Sequence, residues 1–91
     1  MLRLSKKADY GLIAMRHLAL LPETTASSAR EIAGQYDIPV ELLAKVLQRL
    51  SRQGLLVSHQ GTRGGYHLAR PAKAISVADV IQAIEIGRAH V

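Results

Sequence analysis

Cysteine, tryptophan and phenylalanine are absent from this 91-residue chain. Without cysteine it has no disulfide framework, no thiolate metal site and no thiol nucleophile. Its only aromatics are three tyrosines, 3% of the residues, too few for the stacked platforms that hold unpaired bases. Acid is scarce too: seven Asp and Glu, dispersed along the chain, stand against twelve Lys and Arg. Acid–base catalysis therefore has little to stand on, and no enzymatic activity is expected. No apolar run approaches the ~20 residues needed to cross a bilayer. The longest, Gly11 to Leu21, is interrupted by Arg16 and His17. Although Arg3, Lys6 and Lys7 precede it, Asp9, Arg16 and His17 intrude and no small-residue cleavage site follows, so it does not read as a secretory leader. The expectation is a buried first helix in a cytoplasmic protein.

What remains is a chain that is 48% hydrophobic, too apolar for a disordered tail and short enough for a single domain. Its formal net charge of +5 points to nucleic acid, an anionic membrane surface, or solubility alone.

The first periodic segment runs from Lys6 to about Leu21. Ser5 is placed to cap its first turn, and Pro22 closes it by pushing Leu21 out of helical geometry. Leu12, Ile13, Leu18, Ala19 and Leu21 leave little polar face, which predicts a central helix. After a polar loop, Ser28 and Glu31 have capping-box spacing and open a short helix to Tyr36. Ala29, Ile32, Ala33 and Tyr36 form its buried stripe. A break at Asp37-Ile38-Pro39 precedes a third helix, with Pro39 at its first position and Gly54 as its stop after Gln53. Leu42, Leu43, Val46, Leu47 and Leu50 line one side of that helix. Glu41, Lys45, Gln48, Arg49 and Arg52, with the small Ala44, line the other.

After Gly54 the period changes. Leu55-Leu56-Val57 and Tyr66-His67-Leu68 flank a glycine-rich segment that includes Gly61-Thr62-Arg63-Gly64-Gly65, the pattern of a β-hairpin whose tip tolerates positive φ. Pro71 ends the second strand. Ser76 and Asp79 then form a second capping box before a helix whose stripe is Val77, Val80, Ile81 and Ile84. Two helices, a short turn, a third helix and a glycine-tipped hairpin make the order of a winged helix-turn-helix domain: mainly α, with a small β-hairpin.

The third helix carries the strongest chemical signal. An α-helix fits the major groove of B-DNA, where Gln, Lys and Arg meet base edges and phosphates. The N-terminal part of such a recognition helix touches bases, here Glu41, Ala44 and Lys45. Gln48 lies deeper on the same face, and Arg49 and Arg52 are placed for phosphates. In the hairpin, Arg63 between glycines suits the minor groove, whose negative potential is enhanced where it is narrow. Lys6 and Lys7, with Arg3, are placed to clamp the backbone. Ser28 at the start of the second helix, with Gln60 and Thr62 in the hairpin loop, completes the candidate set. The glycine-rich loop is not a Walker loop, because no Gly-Lys-Ser/Thr follows. His17, His59, His67 and His90 lack metal-site spacing. His59 and His67 could face each other across the hairpin, but two histidines without carboxylates make a weak metal site. The alternative to DNA is a winged-helix protein-interaction module.

These residues resemble a known family. Leu4-Ser5-Lys6-Lys7-Ala8-Asp9-Tyr10-Gly11, Leu47-Gln48-Arg49-Leu50 through Gly54-Leu55-Leu56, the run Gly61 to Ala69, and Ile75-Ser76-Val77 to Asp79-Val80-Ile81 resemble, in order, the opening, recognition helix, wing and following helix of the Rrf-two (Rrf2) bacterial transcription regulators. IscR-like and NsrR-like proteins belong to that family, and the likeness is greatest to the regulator of SUF iron–sulfur assembly. It covers about residues 1–85. The resemblance implies a homodimeric repressor or activator, nucleoid-associated, whose winged domains read a palindromic operator on double-stranded DNA. It also implies an iron–sulfur cluster held by three cysteines in a segment following the last helix, together with a long dimerisation helix. Neither is in this sequence, so the chain is expected to be a truncated DNA-binding domain without a cofactor of its own. Ala44 stands where some relatives carry an acidic base-reading residue, so their operator does not transfer. Residues 86–91, Ile-Gly-Arg-Ala-His-Val, depart from the family pattern. One reading frame of a common sequencing adapter encodes that string, and it is expected to be a non-native tail.

Overall fold

A computed structural model describes residues 4–22, 25–61 and 64–86. Within them the chain forms helices α1 (Lys6–Leu20), α2 (Ala29–Tyr36) and α3 (Val40–Arg52), strands β1 (Leu56–His59) and β2 (Gly65–Leu68), a 3-10 turn (Ala72–Ala74) and helix α4 (Val77–Glu85). This is the winged-helix arrangement expected from the sequence.

Side chains fix the helix starts. Ser5 Oγ accepts from the Ala8 N–H at 3.1 Å. Ser28 and Glu31 form both bonds of a capping box, at 3.0 and 3.1 Å. Ser76 and Asp79 repeat it at 2.9 and 3.0 Å. Such caps satisfy N–H groups that a first helical turn leaves without partners. Pro39 lies one position earlier than expected: its ψ of 122° is not helical, so it precedes α3 as the N-cap. The turn before it works because Asp37 adopts the left-handed conformation (φ 55°), which Asp tolerates better than most residues. At the far end Gly54 takes φ 82°, and the Leu55 N–H folds back onto the Leu50 carbonyl at 3.0 Å.

The core is centred on α3. Ile32, Leu43, Leu47 and Leu50 are fully buried, with Val46, Leu55, Leu56, Val80 and Ile84 around them. Three sequence expectations for the core are corrected. In α1 the inward face is Ala8, Gly11, Ala14, Met15 and Leu18, while Ile13 and Ala19 are exposed. Small residues win there because α4 crosses close by: a Cβ on Gly11 would lie 2.1 Å from Ile84 Cδ1. Tyr36 is 38% exposed, since its hydroxyl is engaged at the surface by His17 Nδ1 at 2.9 Å. In α4, Ala83 is buried and Val77 is 60% exposed; Val77 is the first residue of the helix.

The hairpin pairs Leu56 with Leu68 and His59 with Gly65, so β1 begins one residue later than expected and extends to His59. A third backbone segment joins the ladder. The Ser27 N–H donates to the Tyr66 carbonyl (3.0 Å), and the Tyr66 N–H donates to the Ser27 carbonyl (2.8 Å). Gly65 allows this approach: a Cβ there would sit 2.6 Å from the Ser27 carbonyl carbon.

Two predictions follow from this packing. Gly34 lies in α2 with open space around its missing Cβ, so Gly34→Ala stabilises by about 0.5–1 kcal/mol. Gly65→Ala has no room against the Ser27 backbone and costs at least about 1–2 kcal/mol. Thermal melts of the two variants shift in opposite directions; a Gly65→Ala melt at or above wild type contradicts the account. The second concerns acid. The Ser28 N–H, then the Ser28 hydroxyl, and more weakly His17, hold the Glu31 carboxyl below its ordinary value. A depressed carboxyl stabilises the fold above its unfolded pKa and loses that contribution as pH falls through its folded pKa. Glu31→Gln therefore melts below wild type at neutral pH, and the two melts converge in acid. A gap that persists unchanged in acid contradicts it.

Candidate nucleic-acid interface

The burial of Leu43, Val46, Leu47 and Leu50 sets the rotation of α3 about its axis. With those four inward, Glu41, Lys45, Gln48, Arg49 and Arg52 are exposed. Lys45, Gln48 and Arg52 fall at i, i+3 and i+7, one continuous stripe of a helix surface. Ala44, on the same half of the helix, is half-buried and leaves that part of the stripe low.

The stripe is one wall of a groove. Lys7 from α1, Lys45, Gln48, Arg49 and Arg52 from α3, and Ile84 from α4 line it, with Val46 at its floor. Four of these side chains are cationic and none is acidic, so the groove concentrates positive potential that solvent screens only in part. Lys7 is exposed on the first turn of α1. It reaches the groove because the N-terminus of α1 is tied to the end of α4: the Ser5 N–H donates to Glu85 Oε1 at 3.3 Å, and the Ser5 hydroxyl donates to the same oxygen.

The other candidates are placed differently. Lys6 is exposed beside Lys7, and Glu41 is exposed on the first turn of α3; neither lines the groove. Ser28 is half-buried at the start of α2 and committed to its capping box. Gln60 is exposed just after β1. Arg3, Thr62 and Arg63 lie outside the described residues, as do His90 and residues 87–91. Arg49 differs from a free surface arginine: its Nη1 donates to the Ile84 carbonyl at 2.9 Å. No sequence signal announced this bond, whose partner is a backbone atom 35 residues away.

His59 and His67 do meet across the hairpin, with ring centroids 4.5 Å apart and a nitrogen-to-nitrogen hydrogen bond. Among the described residues, however, no three of His, Asp and Glu are grouped to hold a metal ion. The sequence has no cysteine. These 91 residues therefore offer no thiolate to an iron–sulfur cluster. No described helix is long and apolar enough to cross a membrane.

Comparison with known proteins gives the family and the fold. The family model described as Rrf2, iron-dependent transcriptional regulator, matches residues 4–91. A Mycobacterium tuberculosis H37Rv protein named as an HTH-type transcriptional regulator, Rv1287, is 39% identical over 84 residues, which are 92% of this chain and 52% of that protein. The chain thus spans about half the length of the curated relatives it matches. Among solved structures, the fold is similar to CymR, named the global cysteine regulator of B. subtilis, with a TM-score of 0.88 and 32% identity over 100% of this chain and 72% of that one. It is also similar to T. potens IscR, with a TM-score of 0.82 and 34% identity over 91% of this chain and 61% of that one.

Proposed function

The chain belongs to the Rrf2 family of transcriptional regulators, and we propose that it is a sequence-specific reader of double-stranded DNA. The observation that carries this reading is the convergence of Lys7, Lys45, Gln48, Arg49 and Arg52 on one groove beside the exposed side of α3. Phosphate contacts supply affinity without sequence information, and base-edge contacts supply choice. Lys45 and Gln48 are the base-directed pair, since Gln suits adenine and Lys suits guanine in the major groove. Lys6, Lys7 and Arg52 serve the backbone, and Arg63 of the wing is assigned to the minor groove.

Two copies on a palindromic operator would place their α3 helices about 34–36 Å apart, one turn of the duplex. The homodimer is supported by the family resemblance, as is the role of repressor or activator. The regulated genes we assign are those of iron–sulfur cluster assembly, supported by the likeness of the opening, wing and α4 motifs to the SUF regulator. Sensing by a thiol within these 91 residues is ruled out by the absence of cysteine. A second reading has one observation in its favour. Leu12, Met15, Ala19, Leu68, Ile75 and Val80 line an apolar groove that shares no residue with the cationic one. A protein-contact module would use that face and would not retard DNA.

Salt dependence tests the principal reading. If about four to six phosphates are neutralised per copy, log affinity falls against log salt with a slope of about −4 to −5. A flat response contradicts it. Lys45→Ala is expected to cost more than about 1 kcal/mol on the operator and much less on random duplex, whereas Arg52→Ala weakens both alike and flattens the slope by about 1. Equal losses for Lys45→Ala on the two duplexes would place Lys45 on phosphate rather than on a base.

A further inference from the structure

The cationic groove is bounded by the last turn of α4, and residues 84 and 85 there touch both elements that supply its charge. Arg49 of α3 donates to the Ile84 carbonyl at 2.9 Å, one of the terminal carbonyls that a helix leaves without an internal partner. Glu85 accepts from the N–H and hydroxyl of Ser5, the N-cap of α1 immediately before Lys6 and Lys7. A guanidinium has five N–H donors in a rigid fork. One arm of Arg49 is on Ile84, and the side chain still lines the open groove with Lys7, Lys45 and Arg52.

We propose that this groove seats a single backbone phosphodiester and that Arg49 bridges the phosphate to the Ile84 carbonyl, so that DNA affinity and the order of the last turn of α4 are linked. The inference rests on the reading that the protein binds duplex DNA. Held by the carbonyl, the guanidinium presents its remaining donors without first losing the rotamer freedom of an unrestrained arginine. A lysine keeps the charge but lacks the planar fork that serves two acceptors at once. Linkage is reciprocal: DNA that engages Arg49 tightens the end of α4, and fraying the end of α4 releases Arg49 and weakens DNA binding.

The test uses the 91-residue chain with a random-sequence duplex at low ionic strength. The Ile86 N–H, which donates to the Gln82 carbonyl at 3.0 Å, reports on the last turn through its hydrogen-exchange rate. DNA is expected to slow that exchange about fivefold or more in the wild type, the lower end of ordinary coupling, and by less than about half as much in Arg49→Lys. Arg70→Lys, a charge-matched control at an exposed arginine outside the groove, behaves as wild type. Ile86→Pro removes the N–H and opens the turn without changing charge. It is expected to raise the Kd for duplex about fivefold in the wild-type background and to leave the Kd of Arg49→Lys nearly unchanged. Duplex binding with unaltered Ile86 exchange overturns the inference, as do independent, multiplicative effects of the two substitutions. So does equal protection by inorganic phosphate at matched ionic strength, which would make the groove a free-anion site. If the wild type retains no duplex at all, the reading of the protein as a DNA binder fails first, and this inference with it.

Discussion

One-sided burial of α3 is the constraint on which the rest depends. Leu43, Leu47 and Leu50 have no residual exposure, and Val46 has almost none. Each contributes about 1.5–3 kcal/mol by leaving water. Rotating the helix enough to hide Lys45 or Arg52 would undo several such terms and bury unpaired charge as well. The exposed face therefore carries its cations because the opposite face has no alternative. Four other elements, α1, α2, α4 and β1, pack on α3, and the capping boxes of α2 and α4 fix where those helices begin.

The same logic explains what could be read in the sequence. Helix starts were legible because capping chemistry is local: Ser5, Ser28 with Glu31, and Ser76 with Asp79 each act within one turn. The strong two-sidedness of α3 was legible for the same reason. The inner face of α1 was not. Ile13 and Ala19 look like core residues by hydrophobicity, yet Gly11 and Ala14 are inside because close helix crossing selects small residues, and the crossing partner lies at Ile84. Tyr36 and Val77 failed similarly, since a surface hydrogen bond and a position in a first turn outweigh apolar character. Of the candidate site, the α3 stripe and Lys7 are gathered in one groove. The Arg49–Ile84 bond and the Ser27–Tyr66 bridge were invisible because backbone atoms, which every residue has, supply the partners.

The arrangement has a physical cost that its setting offsets. Lys7, Lys45, Arg49 and Arg52 crowd one groove, and like charges at this range repel by an amount that solvent and salt reduce. Arg49 relieves part of it by finding a carbonyl, whose partial negative charge at the C-terminus of α4 favours a cation. A polyanion would remove the remainder. A small domain has little stability to spare, so the repulsion in this cluster works against the fold and is relieved by an anionic partner.

Amide chemical-shift mapping during titration with a short duplex locates the contact most directly. The account predicts the largest perturbations at Lys7, Lys45, Gln48, Arg49 and Arg52, with the Leu12–Val80 apolar groove unmoved. Perturbations centred on that apolar groove, or scattered evenly over the surface, would contradict it.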